Sequence, residues 1–304
     1  MKRIIPFIII LFAFEIVLSQ TPRTPQQPTA ADSLWIRAGS IGLNINQASF
    51  SENWQGGGTN NIALGSVAKG KANYKSLDKT QSWDNQLLLE YGVQKSTSVS
   101  SEWRKTVDQI FLDSKYGYRI SDDWNAMGGI NFRSQFAPGY EFGEDANGDP
   151  TKKQISEFMS PGYLTEAAGV EYKPDDYFFA RFGIGTLRQT FVLDTSLYIN
   201  TPNQKNYGVE IGKTLRNEFA LQLDMGYTRD IAENVNLQSR YVMFANYETI
   251  NEVNTIDHRL DAILTMKVNS WLNVTLSGTF IYDEDMIAQR QWSQAMNIGF
   301  LYTL

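Results

Sequence analysis

The chain has 304 residues, 33 acidic against 27 basic side chains for a formal net charge of −6, and no cysteine. The acidic balance argues against nucleic acid as a partner. The missing thiols exclude a disulfide framework, thiolate metal sites and a lipid-anchored mature N-terminus. Apart from the N-terminus, no apolar run reaches the roughly 18 residues of a spanning helix. With a mean hydropathy of −0.33, a helical membrane protein is excluded. A barrel is not, because only alternate residues of its strands meet lipid.

Residues 1–19 read as an export signal: Lys2 and Arg3 precede the apolar run Ile4 to Leu18, and Val17-Leu18-Ser19 forms a cleavage site before Gln20. Residues 20–33 are proline- and threonine-rich and read as an extended, flexible leader. Residues 34–304 are assigned to a β-barrel.

From Trp35 onward the chain alternates with period two, the mark of strands with one apolar and one polar face. Trp35 to Gln47, Asn61 to Tyr74 and Ser82 to Val93 form the first three segments. The clearest unit follows. Ile110, Leu112, Tyr116, Tyr118 and Ile120 oppose Asp113, Lys115 and Arg119; after Ser121-Asp122-Asp123, Trp124, Ala126, Ile130, Phe132 and Phe136 oppose Asn125, Asn131, Arg133 and Gln135. Two such arms around a Ser-Asp-Asp turn make a hairpin. Segments six and seven, Gly162 to Lys173 and Tyr177 to Thr190, are joined by Pro174-Asp175-Asp176. Lys213 to Asp230, Val235 to Tyr247, Ile256 to Val268, Leu272 to Tyr282 and Trp292 to Leu304 complete twelve, with ten or fourteen open as alternatives.

Alternation does not separate a soluble sandwich or lipocalin-like barrel from a membrane barrel. Three observations favour the membrane. Connections after even-numbered segments are tight, whereas those after segments three, five, seven and eleven are longer, notably Ala137 to Pro161 and Phe191 to Gly212. Aromatic residues stand at segment ends: Trp83, Trp124, Tyr177 and Trp271 after short turns, Trp292 after a longer loop. Finally, the end of the chain, with Gly299, Tyr302 and Leu304, resembles the C-terminal signal read by barrel-assembly machinery in Gram-negative outer-membrane proteins. The expected fold is a closed antiparallel up-and-down transmembrane β-barrel, in contact with outer-membrane lipid.

On that reading the polar faces line the lumen, which mixes signs: Glu90, Asp113, Lys115, Arg133, Arg181, Asp224, Arg240, Arg259, Asp261 and Lys267. Twelve strands enclose a bore between a filled eight-stranded barrel and a sixteen-stranded channel, so opposed charges would pair and narrow it. Trp54, Gly56 and Gly57 in the first loop, and Tyr140 and Tyr163 flanking the longest, are candidate loop contacts, the alternative being interfacial anchors at turns.

No catalytic set is legible. His258, the sole histidine, shares the lipid-side parity of Leu260 and Ala262 and has no serine two residues away, as a lipid hydrolase of nucleophilic type would need. Asp145, Asn147 and Asp149 have alternate oxygen spacing suited to calcium, but Pro150 occupies the glycine position and no bidentate Glu follows, so a solvated turn is preferred. No residue pattern calls for a cofactor. The readings left open are a non-enzymatic channel, binding or envelope protein for an unknown small molecule, a lipid hydrolase, and an adhesion or structural protein working through its loops.

Several stretches resemble the domain of unknown function 3078 (DUF3078) family of outer-membrane β-barrels. They include Gln47-Ala-Ser-Phe50 with Trp54, Gly56 and Gly57, Trp83-Asp84-Asn85, and Arg104-Lys105-Thr106-x-Asp108. Ser114 to Tyr118, Gln135-Phe-Ala-Pro-Gly-Tyr140, Ser160-Pro-Gly-Tyr-Leu164 and Ile281-Tyr-Asp283 belong with them. The resemblance spans about Trp35 to Leu304 and implies fold and location, not an activity.

Overall fold

A computed structural model describes residues 34–49, 60–96, 100–200, 205–269, 271–285 and 287–303. The export signal, the leader, Trp54, Gly56, Gly57 and Leu304 lie outside them.

Among the described residues period-two patterning becomes sixteen strands: β1 Trp35–Ala48, β2 Asn61–Lys75, β3 Gln81–Ser96, β4 Ser100–Arg119, β5 Trp124–Ser134, β6 Gly139–Glu144, β7 Pro150–Ser156 and β8 Gly162–Tyr172. They continue as β9 Phe178–Phe191, β10 Lys205–Asn206, β11 Val209–Glu210, β12 Leu215–Ala232, β13 Val235–Asn246, β14 Asp257–Lys267, β15 Leu272–Asp283 and β16 Ile287–Thr303. Twelve close one antiparallel barrel in the order β1-β16-β15-β14-β13-β12-β9-β8-β5-β4-β3-β2. The remaining four form two hairpins, β6–β7 and β10–β11, inside the two longest connections. Among the described residues no helix is long and apolar enough to cross a membrane.

Burial is inverted relative to a water-soluble domain. Large apolar side chains stand in the open: Ile41 is 54% exposed, Ile130 50% and Phe219 65%. Lys115, Glu171, Glu218 and Asp224 are buried. Such a face is stable against acyl chains, and a closed sheet leaves no edge of unpaired backbone in them. The fold is therefore a transmembrane β-barrel with an apolar exterior and a charged interior.

At the rim of short connections, hereafter the turn side, aromatic rings cluster. Trp35 packs against Tyr74 at 5.4 Å and Trp83 at 5.9 Å, Trp124 against Tyr172 at 5.1 Å, and Trp271 stacks on Phe300 at 5.2 Å. Trp83 also donates its indole N–H to Ser114 Oγ at 2.9 Å. An aromatic body with a polar tip suits the lipid–water boundary.

The opposite rim, the loop side, differs from the sequence expectation in two places. The connections after β3 and β15 are not long loops. β3 and β4 stay paired out to Ser96 opposite Ser100, through bulges, and β16 begins at Ile287 rather than Trp292. β4, with 20 residues, is about twice the 9–11 that a strand needs to cross a bilayer. Apolar alternation ends where the sheet leaves lipid, while backbone pairing runs on into water.

The closing seam joins β1 to β16, with Asn44 opposite Gly299 and Ile41 opposite Tyr302. A Cβ on Gly299 would lie 3.0 Å from the Leu43 carbonyl and 2.0 Å from Asn44 Oδ1. Glycine is thus required there by the close approach of the two strands.

Candidate functional site

The lumen gathers its charges into networks that neighbouring strands could not make alone. On the turn side, Lys115 of β4 meets Glu171 of β8 at 2.6 Å and Asp84 of β3 at 3.1 Å. Arg181 of β9 holds three carboxylates: Glu171 at 3.0 Å, Asp224 of β12 at 3.1 Å and Asp113 of β4 at 3.3 Å. Arg240 of β13 adds two charge-assisted bonds to Asp224, both 2.9 Å, and approaches Asp113 at 3.5 Å. Asp113 also accepts from Asn131 at 3.2 Å. β4 and β13 are separated by β5, β8, β9 and β12 in the wall, so the Arg240–Asp113 pair spans the bore.

Aromatic rings sit beneath these cations. Arg181 lies 4.1 Å from the Phe179 ring and Arg240 5.2 Å from that of Phe111. Phe179 in turn lies flat on Gly226, where a Cβ would be 2.2 Å from the ring. Guanidinium over a ring face keeps the charge attracted where water is scarce. Among these groups lies a cavity of about 40 Å³ lined among others by Asp113, Lys115, Asn131, Arg181, Gln222 and Asp224. That is room for a few water molecules, not for a solute.

A second network occupies the loop side. Arg188 of β9 binds Glu218 of β12 at 3.0 Å and Asp257 of β14 at 2.6 Å, and stacks 3.7 Å above Phe244. Arg216 joins Glu218 at 3.0 Å and also contacts Asp285, and Asn246 donates to Glu218 at 3.1 Å. Arg259 grips Asp261 with two bonds of 2.7 and 2.9 Å, and Thr279 donates to the same carboxylate at 2.8 Å.

Of the residues singled out from sequence, Asp113, Lys115, Arg181, Asp224 and Arg240 thus form one connected group, while Arg259 and Asp261 form a separate pair. Arg133 stands opposite Phe111 on one side and Tyr163 on the other. Glu90 lies midway along β3, opposite Gln109, and Lys267 at the turn-side end of β14, opposite Asn273. Tyr163, which flanks the longest connection, is the second residue of β8.

Glu171, Arg188 and Glu218 were missed. Arg188 has a definite cause. A bulge near Ile184 and Gly185 shifts the register of β9, so that Gly183 and Thr186 both face strand partners two apart on β12. Odd positions up to Gly183 face inward and even positions from Thr186 onward, and Ile184's carbonyl accepts from Tyr247 Oη at 2.5 Å. The glycines at 183 and 185 were the available signal. Glu171 could have been found from its parity opposite Tyr172.

The longest connection is tied down at its base. Asp108 accepts the N–H groups of Phe136 at 2.7 Å and Ala137 at 2.9 Å. Lys105 bridges Asp108 at 2.9 Å, Gln135 at 3.2 Å and the Ala137 carbonyl at 2.6 Å. Gln135 donates to the Glu157 carbonyl at 2.8 Å, and Ser134 Oγ accepts from Met159 N–H at 2.9 Å. Above it, the β6–β7 hairpin packs Phe142 under Arg104 at 4.1 Å and Tyr140 under Lys152 at 4.5 Å. Thus the Arg104–Asp108 and Gln135–Tyr140 stretches, distant in sequence, form one loop anchor.

At the hairpin tip Asp145 Oδ1 accepts from Asn147 N–H at 2.8 Å and Asp149 N–H at 2.9 Å, with Gly148 at φ 83°. These bonds hold the Asp145 carboxyl below the usual carboxylate range. The oxygen is engaged with backbone, and no group of three or more metal-binding side chains occurs among the described residues. His258 bonds through Nδ1 to Tyr241 Oη at 2.8 Å and lies beside the Tyr282 ring.

Fold and lumen together define the class: a transmembrane β-barrel whose bore is crossed by ion pairs. Within that class, the family model described as "Protein of unknown function (DUF3078)" matches residues 45–140, from the end of β1 to the start of β6. The resemblance read from the sequence therefore holds over that stretch, which includes the Trp83, Arg104–Asp108 and Gln135–Tyr140 motifs. No curated protein matches the chain. Among solved structures, the chain is similar to a NanC porin at TM-score 0.40 and 10% identity, covering 88% of this chain and 100% of that one. The translocator domain of the autotransporter NalP from Neisseria meningitidis gives 0.38 and 10%, covering 90% and 91%. An outer membrane channel from Pseudomonas putida F1 gives 0.38 and 8%, covering 89% and 95%.

Proposed function

We propose that this chain is a non-enzymatic outer-membrane protein of the Gram-negative envelope that binds small molecules from the loop side of a shut bore. One observation carries this reading: Arg181 and Arg240 share Asp224 of β12 and Asp113 of β4, so that ion pairs reach across the lumen. Buried pairs with this many partners resist opening, because removing any one partner strands a charge in a poorly solvated place. On this reading the export signal at residues 1–19 delivers the chain, and barrel-assembly machinery reads the C-terminal signal with Gly299, Tyr302 and Leu304. Lipid hydrolysis gains no support, since His258 Nδ1 bonds to Tyr241 and no hydrogen bond joins the ring to a serine among the described residues.

Planar-bilayer recording tests the proposal. Wild-type protein is expected to show no steady conductance, and Arg181→Ala combined with Lys115→Ala to show stepwise openings. Steady open-pore conductance of the wild type would overturn it. A second reading, adhesion through the loops, is favoured by the ordered β6–β7 hairpin with its Tyr140 and Phe142 faces.

A further inference from the structure

We infer that the loop-side half of the bore holds a small oxyanion, the carboxylate or phosphate of a solute, between Arg133 and Tyr163. The two stand opposite one another on β5 and β8, with Phe111 opposite Arg133 on β4. Two guanidinium groups flank the Phe111 ring: Arg240 at 5.2 Å and Arg133 at 5.4 Å. Their circumstances differ. Arg240 is neutralised by Asp224 and Asp113. Arg133 Nε is buried without a hydrogen-bond partner, and among the described residues its guanidinium joins no ion pair.

The nearby carboxylate that could neutralise Arg133 is Asp261, and it is already committed to Arg259 and Thr279. Arg259 and Arg240 add further positive charge within electrostatic reach of Arg133. The Tyr163 hydroxyl also makes no hydrogen bond among the described residues, and Asp283 and then Arg188 and Arg133 lie within its electrostatic reach, two cations against one acid. A buried guanidinium without a counter-charge is destabilising, whereas its planar fork of donors matches the paired oxygens of a carboxylate or phosphate. The phenol supplies one further donor to the same anion. The inference rests on the shut-bore reading, since in an open pore bulk water would hydrate Arg133.

The test is calorimetric titration of the full-length protein in detergent with sodium phosphate and with sodium acetate, at fixed ionic strength. Saturable one-to-one binding of either anion is expected, and whichever binds identifies the class of solute. Arg133→Gln is expected to weaken it at least tenfold, Arg133→Lys to restore part of the loss, and Tyr163→Phe to weaken it by a smaller factor. Without either anion, Arg133→Gln should melt no lower than the wild type, which also shows that the variant folds. Absence of saturable binding by both anions, or unchanged affinity in Arg133→Gln, overturns the inference. Conductance of the same preparation separates the two readings: a silent protein that binds neither anion sinks the site alone, while steady conductance sinks the shut bore.

Discussion

Lys115 and Arg133 face the same bore from neighbouring strands, yet their surroundings are opposite. Around Lys115 each cation is matched: Glu171 and Asp84 take the ammonium, and Glu171 passes on to Arg181. Around Arg133 the nearby acid is engaged elsewhere and an aromatic ring takes the place of a carboxylate. The comparison teaches that a charged lumen is not one environment. Its turn side behaves as a structural core made of ion pairs, and its loop side, though paired around Arg188, Arg216 and Arg259, keeps Arg133 in reserve for something that enters.

The sharpest way to break this contrast is to remove an acid from the matched region. Glu171→Ala leaves Lys115 and Arg181 short of their shared partner and should cost about 3–5 kcal/mol, read from reversible urea unfolding in lipid vesicles. Adding Lys115→Met to it should recover most of the loss. By contrast Arg133→Gln, in the unmatched region, should cost little or stabilise in the same assay. An equal, large loss in both variants would dissolve the distinction.

A second variant moves charge from the inside to the outside of the same strand. Leu112 is exposed on the exterior of β4, one residue from the lumen-facing Asp113. Leu112→Arg should destabilise the barrel in vesicles by about 2–4 kcal/mol if it lies near the bilayer midplane. An unchanged unfolding midpoint would mean that lipid does not cover this face.

The smallest effect lies beyond the membrane. Backbone N–H donors depress the Asp145 carboxyl, so the charged form is favoured in the folded turn. A depressed carboxylate contributes stability above its unfolded value, about pH 4, and loses it as pH falls through the folded value. Amide exchange at Asn147 and Asp149 should therefore accelerate relative to the rest of the chain as pH is lowered past that point. Asp145→Ala should show the faster exchange above that point and converge with the wild type below it, with the lumen networks unaffected.

Much of the barrel was legible from residue order alone. The Ser121-Asp122-Asp123 turn between two alternating arms located β4 and β5 because side chains on a strand must point to opposite faces, and only one of those faces is apolar. The same rule put Asp113, Lys115 and Arg181 on the inner side. It failed at Arg188, where a bulge in β9 swaps the parity, and at the β3–β4 extension, where pairing outlasts the apolar pattern. The loop anchor was visible only as separate motifs, since nothing in Lys105-Thr-x-Asp108 says that its carboxylate will cap the backbone of Phe136 and Ala137.

By itself, then, the sequence determined strand positions, the inside and outside of the wall, and the presence of mixed charge within it, because these follow from local periodicity and the cost of charge in lipid. Tertiary structure alone decided which charges meet. Barrel closure and strand stagger bring β13 across from β4 and Arg181 within reach of Asp113, and those quantities depend on every pairing around the ring at once. For that reason Arg181 found three acids from three other strands, and Arg133 found none.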